Sequence, residues 1–318
     1  MRQAIVACVL LLSGIAPAAQ TRGPLLLVLN KNDATLSFID PASGNTLGAV
    51  RTGPDPHELT TTSDGRLAIA TNYGGNSLSV IDIAARTELQ RLAFPDLQRP
   101  HGIETVGGLV VFTAEANQAV AAYDPATNRI AWRTSTRQNV THMVIASRDG
   151  QTLFTSNIGS NSITILERAG NEWRATHVSV GAGPEGLDLS PDGRELWTAH
   201  SEDGRVSIID VTSKRVTHSF DAGTRRANRL KFTRDGRFAL ISDIDAGELV
   251  VVDAKARTVA RRVRVGASPE GILVPPQGNR IYIAVTGDNR VVALDLTTFA
   301  IVQTITTGRG PDGMAWRP

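Results

Sequence analysis

Cysteine is nearly absent from this chain: of 318 residues only Cys8 carries a thiol, and it lies inside the apolar run from Ala4 to Leu12. Residues 20–318 therefore contain no disulfide, no thiol nucleophile and no thiolate metal ligand. Aromatic residues make up only 5%, too few for base-stacking platforms, and the formal net charge of +2 is too small for a nucleic-acid surface. After Leu12 no apolar stretch approaches the roughly 20 residues of a membrane-spanning helix. Neither a phosphate-cradling GxxxxGK[ST] loop nor a GxSxG nucleophile turn occurs. The acidic loops DPAS, SEDG and DIDAG lack the spacing of a calcium-binding loop.

Arg2, the apolar run and the small residues Ala16-Pro17-Ala18-Ala19 follow the order of a secretory signal. Residues 1–19 are expected to be that signal, cleaved near Ala18 or Ala19, with residues 20–318 forming one domain in the periplasm or outside the cell. Asn139-Val140-Thr141 matches a glycosylation sequon, and nothing else in the sequence suggests that modification.

Against these absences stands a strong regularity. An apolar-acid dipeptide recurs as Ile39-Asp40, Ile81-Asp82, Tyr123-Asp124, Leu166-Glu167, Ile209-Asp210, Val252-Asp253 and Leu294-Asp295, at steps of 42 or 43 residues. Glycine turns at Gly65, Gly108, Gly150, Gly193, Gly236 and Gly278 keep the same step. They are read as tight two-residue hairpins, since Asp-Gly and Gly-Gly supply the positive φ such turns require. A period of 40 to 45 residues holding several short strands marks a β-propeller.

The unit from Pro56 to Phe94 predicts four strands: His57 to Thr61, Arg66 to Asn72, Ser77 to Ile83 and Glu88 to Phe94. Near the N-terminus, Leu25 to Asn30, Thr35 to Asp40 and Thr46 to Arg51 supply three strands lacking a first, which Gly310 to Pro318 supplies. The predicted fold is all-β, a seven-bladed propeller of four-stranded blades closed by pairing the C-terminal strand with the N-terminal three-strand blade.

The segments GPEGLDLSPDGRELWTAH from Gly183, SPEGILVPPQGNRIYIAV from Ser268 and TNYGGNSLSVID from Thr71 carry a resemblance. Across residues 20–318 the repeat resembles the YVTN-type β-propeller family, which implies mainly secreted or periplasmic propellers. Lactonase-like propellers are similar in architecture and include ring-opening hydrolases, while others bind proteins, metals or redox cofactors. Fold alone does not choose among these.

If the first strand of each blade runs away from one face, its start and the end of the second strand line one mouth. Aligned on the residue after the repeat's proline, the first set reads His57, His101, Thr141, Glu185, Asn228, Glu270 and Asp312, with His142 beside Thr141 in a position that is mostly glycine. The second reads Asn30, Asn72, Glu115, Asn157, His200, Asp243 and Val285. Glu58, His142 and Arg229 stand where the repeat has glycine. Arg99, Arg226, Arg229 and Arg309 lie in or next to the loops leading to the inner strands, placed to hold a carboxylate or phosphate or to pair with the acids. His177 and His218 fall in outer strands and are read as solvated.

Three readings of the mouth stay open: a water-filled channel lined by polar groups, a metal or small-ligand site, and hydrolytic or lyase chemistry. A divalent metal ion would be held by His57, His101 and His142, with Glu115 completing the set, and a proton-transfer pair would be Glu185 with His200. The candidate ligand-binding side chains are His57, Asn72, His101, Glu115, His142, Asn157, Glu185, His200, Asn228, Arg229, Asp243, Glu270 and Asp312. The expected function is a monomeric binding or interaction module for an extracytoplasmic protein or small molecule. The alternative is a metal-assisted, lactonase-like hydrolase or isomerase.

Overall fold

The computed structural model describes residues 23–318. The expected signal segment and Cys8 lie outside the described residues. Twenty-eight strands form seven four-stranded antiparallel sheets, and each sheet is one blade. Blade 2 runs Pro56–Thr61, Leu67–Asn72, Ser77–Asp82, Thr87–Ala93, close to the predicted limits. The innermost strands of blades 3 to 7 are Pro100–Val106, Thr141–Ala146, Pro184–Leu189, Ala227–Phe232 and Pro269–Leu273.

Blade 1 closes the ring. Its strands Leu25–Asn30, Thr35–Ile39 and Thr46–Arg51 are completed by Pro311–Arg317, with Leu26 opposite Trp316 and Val28 opposite Met314.

Burial follows from position in the blade. Second and third strands are covered on both faces by neighbouring blades, so Leu67–Asn72 is buried throughout and reads as a continuous run. Outer strands have one face in water, and Thr87–Ala93 alternates between exposed and half-buried positions. The core lies between blades: Trp197 and Ile208 of blade 5 pack on Leu230, Ile241 and Val250 of blade 6.

The repeating acid is a turn device. Asp82 ends its strand and its Oδ1 accepts from the Ala85 amide at 2.8 Å, and Asp40, Asp124, Asp210 and Asp295 cap the same turn in their blades. Most of the glycine turns differ from the expected two-residue form. Thr62 pairs with Leu67 across four residues, with Gly65 at φ +65° and Thr62 Oγ1 donating to Asp64 Oδ1. Only Gly107-Gly108, between the paired Val106 and Leu109, matches the tight form, because both residues have positive φ.

Candidate functional site

Each inner strand begins with a register shift against its neighbour, so two successive residues are re-aimed at the start of all seven blades. Pairing sets the alignment. Pro56 faces Asn72, Pro100 faces Ala114 and Thr141 faces Asn157. Thr141 therefore occupies the proline position, and His142 stands in the axial ring where alignment on the repeat's proline put Thr141. Met143, and not His142, takes the glycine position. Likewise Ala114 ends the second strand of blade 3, and Glu115 is the first residue of the following 3-10 turn, equivalent to Tyr73 and Lys31. The alignment fails here because blade 4 has no proline to align on; with His142 the steps from His101 and to Glu185 are 41 and 43, against 40 and 44 with Thr141.

The corrected ring is His57, His101, His142, Glu185, Asn228, Glu270 and Asp312. Its members are linked from Asp312 through the histidines to Asn228, and Lys31 joins Glu270 to Asp312. His101 Nε2 is 3.1 Å from His57 Nδ1, the His101 and His142 rings stack at 3.7 Å, and His142 Nε2 lies 3.9 Å from Glu185 Oε1. Asn228 Nδ2 donates to Glu185, Lys31 bridges Glu270 and Asp312, and Asp312 Oδ2 returns to His57 Nδ1 at 3.4 Å.

One level below, Arg229 of blade 6 crosses the channel to Glu58 of blade 2, its Nε donating to Glu58 Oε1 at 2.9 Å while Nη1 donates to Asn228 Oδ1 at 3.1 Å. The side chains that cross are possible because the neighbouring blades have glycine at this level. A Cβ on Gly102 would sit 2.6 Å from Met143 Cα, and one on Gly186 would sit 2.4 Å from the Leu230 amide.

The electrostatics follow from burial. It holds His101 well below the usual imidazole range, helped by the neighbouring His142 and His57. Burial opposes charge on Arg229, but Glu58, Asp312 and Glu185 outweigh it and raise its pKa. Asp312 is held below the usual carboxylate range because Lys31, Arg229 and His57 overcome a burial effect that acts the other way. Tyr73 is pushed up to about 12 by burial and by Glu115.

Around His101 and His142 the donors converge. Donor atoms of His101, Glu115 and His142 all lie within 4.8 Å of one another, and all three residues are buried. Glu115 is held from two sides, Oε1 2.5 Å from His142 Nδ1 and Oε2 accepting from Tyr73 OH at 2.9 Å. Among the described residues, His101 Nδ1 and His142 Nε2 are buried without a hydrogen-bond partner. His57 lies outside this set but touches it through His101, and its Nε2 is 3.2 Å from Asp55 Oδ1.

The other sequence-named residues go elsewhere. Asn72 donates to Ser77 Oγ and Ser79 Oγ, and Asn157 to Thr164 Oγ1, so both tie the strands of their own blades together. Asp243 accepts from the Arg225 and Arg226 amides and shapes their turn. Of the candidate proton-transfer pair, His200 Nδ1 is 3.0 Å from Asp203 Oδ1 and Glu185 bonds Asn228, with no hydrogen bond between the two among the described residues. Tyr73 and Lys31 belong to the mouth and were missed, although each directly follows a strand-ending asparagine.

Residues 100–280 match the YNCE-like beta-propeller family. The chain belongs to that family. It is 25% identical over 177 residues to the uncharacterized protein YncE of Salmonella typhi, a match covering 54% of this chain and 50% of that protein. The chain thus spans about half the length of the curated relative it matches. Among solved structures, a chain of Kuenenia stuttgartiensis hydrazine synthase superimposes with a TM-score of 0.77 at 18% identity, over 87% of this chain and 93% of that one. A putative 6-phosphogluconolactonase from Bacteroides uniformis gives 0.76 at 16%, over 92% and 99%. At these identities the structural likeness shows the fold alone. No helix among the described residues is long and apolar enough to cross a membrane.

Proposed function

We propose that this YNCE-like propeller is an extracytoplasmic binding module whose mouth takes one divalent transition-metal ion, with His101, His142 and Glu115 as its protein ligands. One observation carries the reading: two imidazoles and a carboxylate from adjacent blades converge within 4.8 Å while two buried imidazole nitrogens lack partners. Two nitrogens and one oxygen suit zinc and its neighbours better than calcium or magnesium, and three protein ligands leave a position for a further ligand. The surroundings are those that orient metal ligands. Tyr73 OH holds Glu115 Oε2, and the contacts from Asp55 through His57 to His101 Nε2 turn its Nδ1 free.

The test is metal content after purification without chelator, followed by titration of stripped protein with zinc. Close to one ion per chain is expected, falling to background in His101→Ala and His142→Ala but not in His218→Ala on an outer strand. An absence of zinc, copper, nickel and cobalt binding to folded wild-type protein would sink the reading, as would undiminished binding by His101→Ala.

A further inference from the structure

Below the Arg229–Glu58 bridge the channel widens into a cavity of about 400 Å³ whose lining includes Glu58 and Arg229 themselves. The bridge thus forms its roof and separates it from the mouth. A volume of this size accommodates a small metabolite. Ile103, Ile145, Ile272 and Met314 make much of its wall apolar.

The polar groups divide into those held by short hydrogen bonds and one held only by a long ion pair. Glu104 Oε2 accepts from the Ala146 amide at 2.7 Å, and Asp188 Oδ2 from the Phe232 amide at 2.9 Å. Both acids thereby satisfy amides on the axial edge of the next blade's inner strand, which has no neighbouring strand there. Arg229 is met by Glu58, and Arg234 donates to the Pro276 and Gly278 carbonyls. Lys231 differs. Its Nζ makes only a long ion pair, 3.5 Å from Asp188 Oδ1, and burial opposes its charge while Asp188, Glu104 and Glu58 favour it; with 32% of its side chain exposed it is reachable from solvent. A cation held only by this long ion pair, beside apolar walls, matches an anion with an apolar tail.

We propose that this lower cavity is a second binding site, for a small carboxylate carrying a short apolar chain, with Lys231 binding the carboxylate and the aliphatic wall enclosing the chain. Inorganic phosphate or sulfate, which carry no apolar chain, would leave that wall unused, and an amine would meet Lys231 as a like charge. Glu104 adds a dependence on pH. Burial pushes its carboxyl up to about 7 against the opposing pull of Lys231. Below that value Glu104 is neutral and can donate to the bound carboxylate; above it a second negative charge competes for Lys231. Glu58, Asp188, Arg229 and Arg234 are the other charged groups lining the cavity.

Calorimetric titration of the protein with hexanoate, hexylamine and hexanol at pH 6 and pH 8.5 tests the site. Hexanoate alone should bind at pH 6, with affinity falling by roughly tenfold or more at pH 8.5 as the competent form is depleted. Lys231→Met should weaken binding by at least about tenfold. Glu104→Gln, which keeps the donor and acceptor at that position, should bind hexanoate equally at both pH values. Preferential binding of hexylamine, unaltered affinity in folded Lys231→Met, or no binding by any of the three would overturn the proposal. If Lys231→Met does not fold, a pH dependence retained by Glu104→Gln is sufficient to reject it.

Discussion

Asn72 and Glu115 occupy successive positions of the repeat, yet their side chains do different work. Asn72 is fully buried inside its blade, its amide shared between Ser77 and Ser79 at 3.1 and 2.9 Å. Glu115 has left the strand and meets His142 and Tyr73 at the mouth. Replacing Asn72 with leucine removes the donor while leaving buried hydroxyls to be satisfied, and should cost about 2 kcal/mol of stability. Zinc affinity should not change, because no ligand moves. Urea denaturation and metal titration of Asn72→Leu measure both, and a loss of zinc binding comparable to that of His101→Ala would place Asn72 in the site after all.

At the scale of the element, the turn leading into the inner strand is the part under strain in four of the seven blades. Asp55, Arg99, Val140 and Ser268 precede the inner strands of blades 2, 3, 4 and 7, and all have φ between +51° and +53°. Gly183 and Gly310 fill the same position in blades 5 and 1, both at φ +67°. Val140 is the least suited, since a β-branched side chain in left-handed backbone crowds its own carbonyl. It is also exposed, so little burial is lost on truncation. Val140→Gly should raise stability by about 1 kcal/mol, the strain relief exceeding the extra freedom gained by the unfolded chain. A melting temperature higher by a few degrees would confirm this, and a decrease would show that the Val140 side chain contributes more than its backbone costs.

For the whole molecule the decisive contact is the one between its ends. Pro311–Arg317 pairs with Leu25–Asn30, places Asp312 in the mouth ring and adds Ala315 to the core shared by blades 1 and 2. Without it blade 1 has an open edge and the ring can splay. Truncation before Pro311 should lower stability by at least about 4 kcal/mol, the range reached when a structural element is lost, and should broaden the unfolding transition. Calorimetry decides it: an unchanged melting temperature would mean that seven blades hold together without their shared strand.

The number of blades, the strand limits in blade 2 and the closing strand were legible in the sequence because they rest on local chemistry. Asp40, Asp82 and their equivalents cap turns within their own blades, and the unbroken apolar runs of the middle strands follow from burial on both faces. The site was only half legible. His57, His101, His142 and Glu115 could be named as residues, but alignment on the repeat's proline and strand-ending asparagine, which blades 4 and 3 respectively lack, put Thr141 on the axis and Glu115 at a strand end. A register shift at the start of each inner strand decides which of two adjacent side chains faces the channel. The bridge from Arg229 to Glu58 joins residues 171 apart in the chain. Such contacts depend on where blades meet around the axis, and that is set only when all seven close.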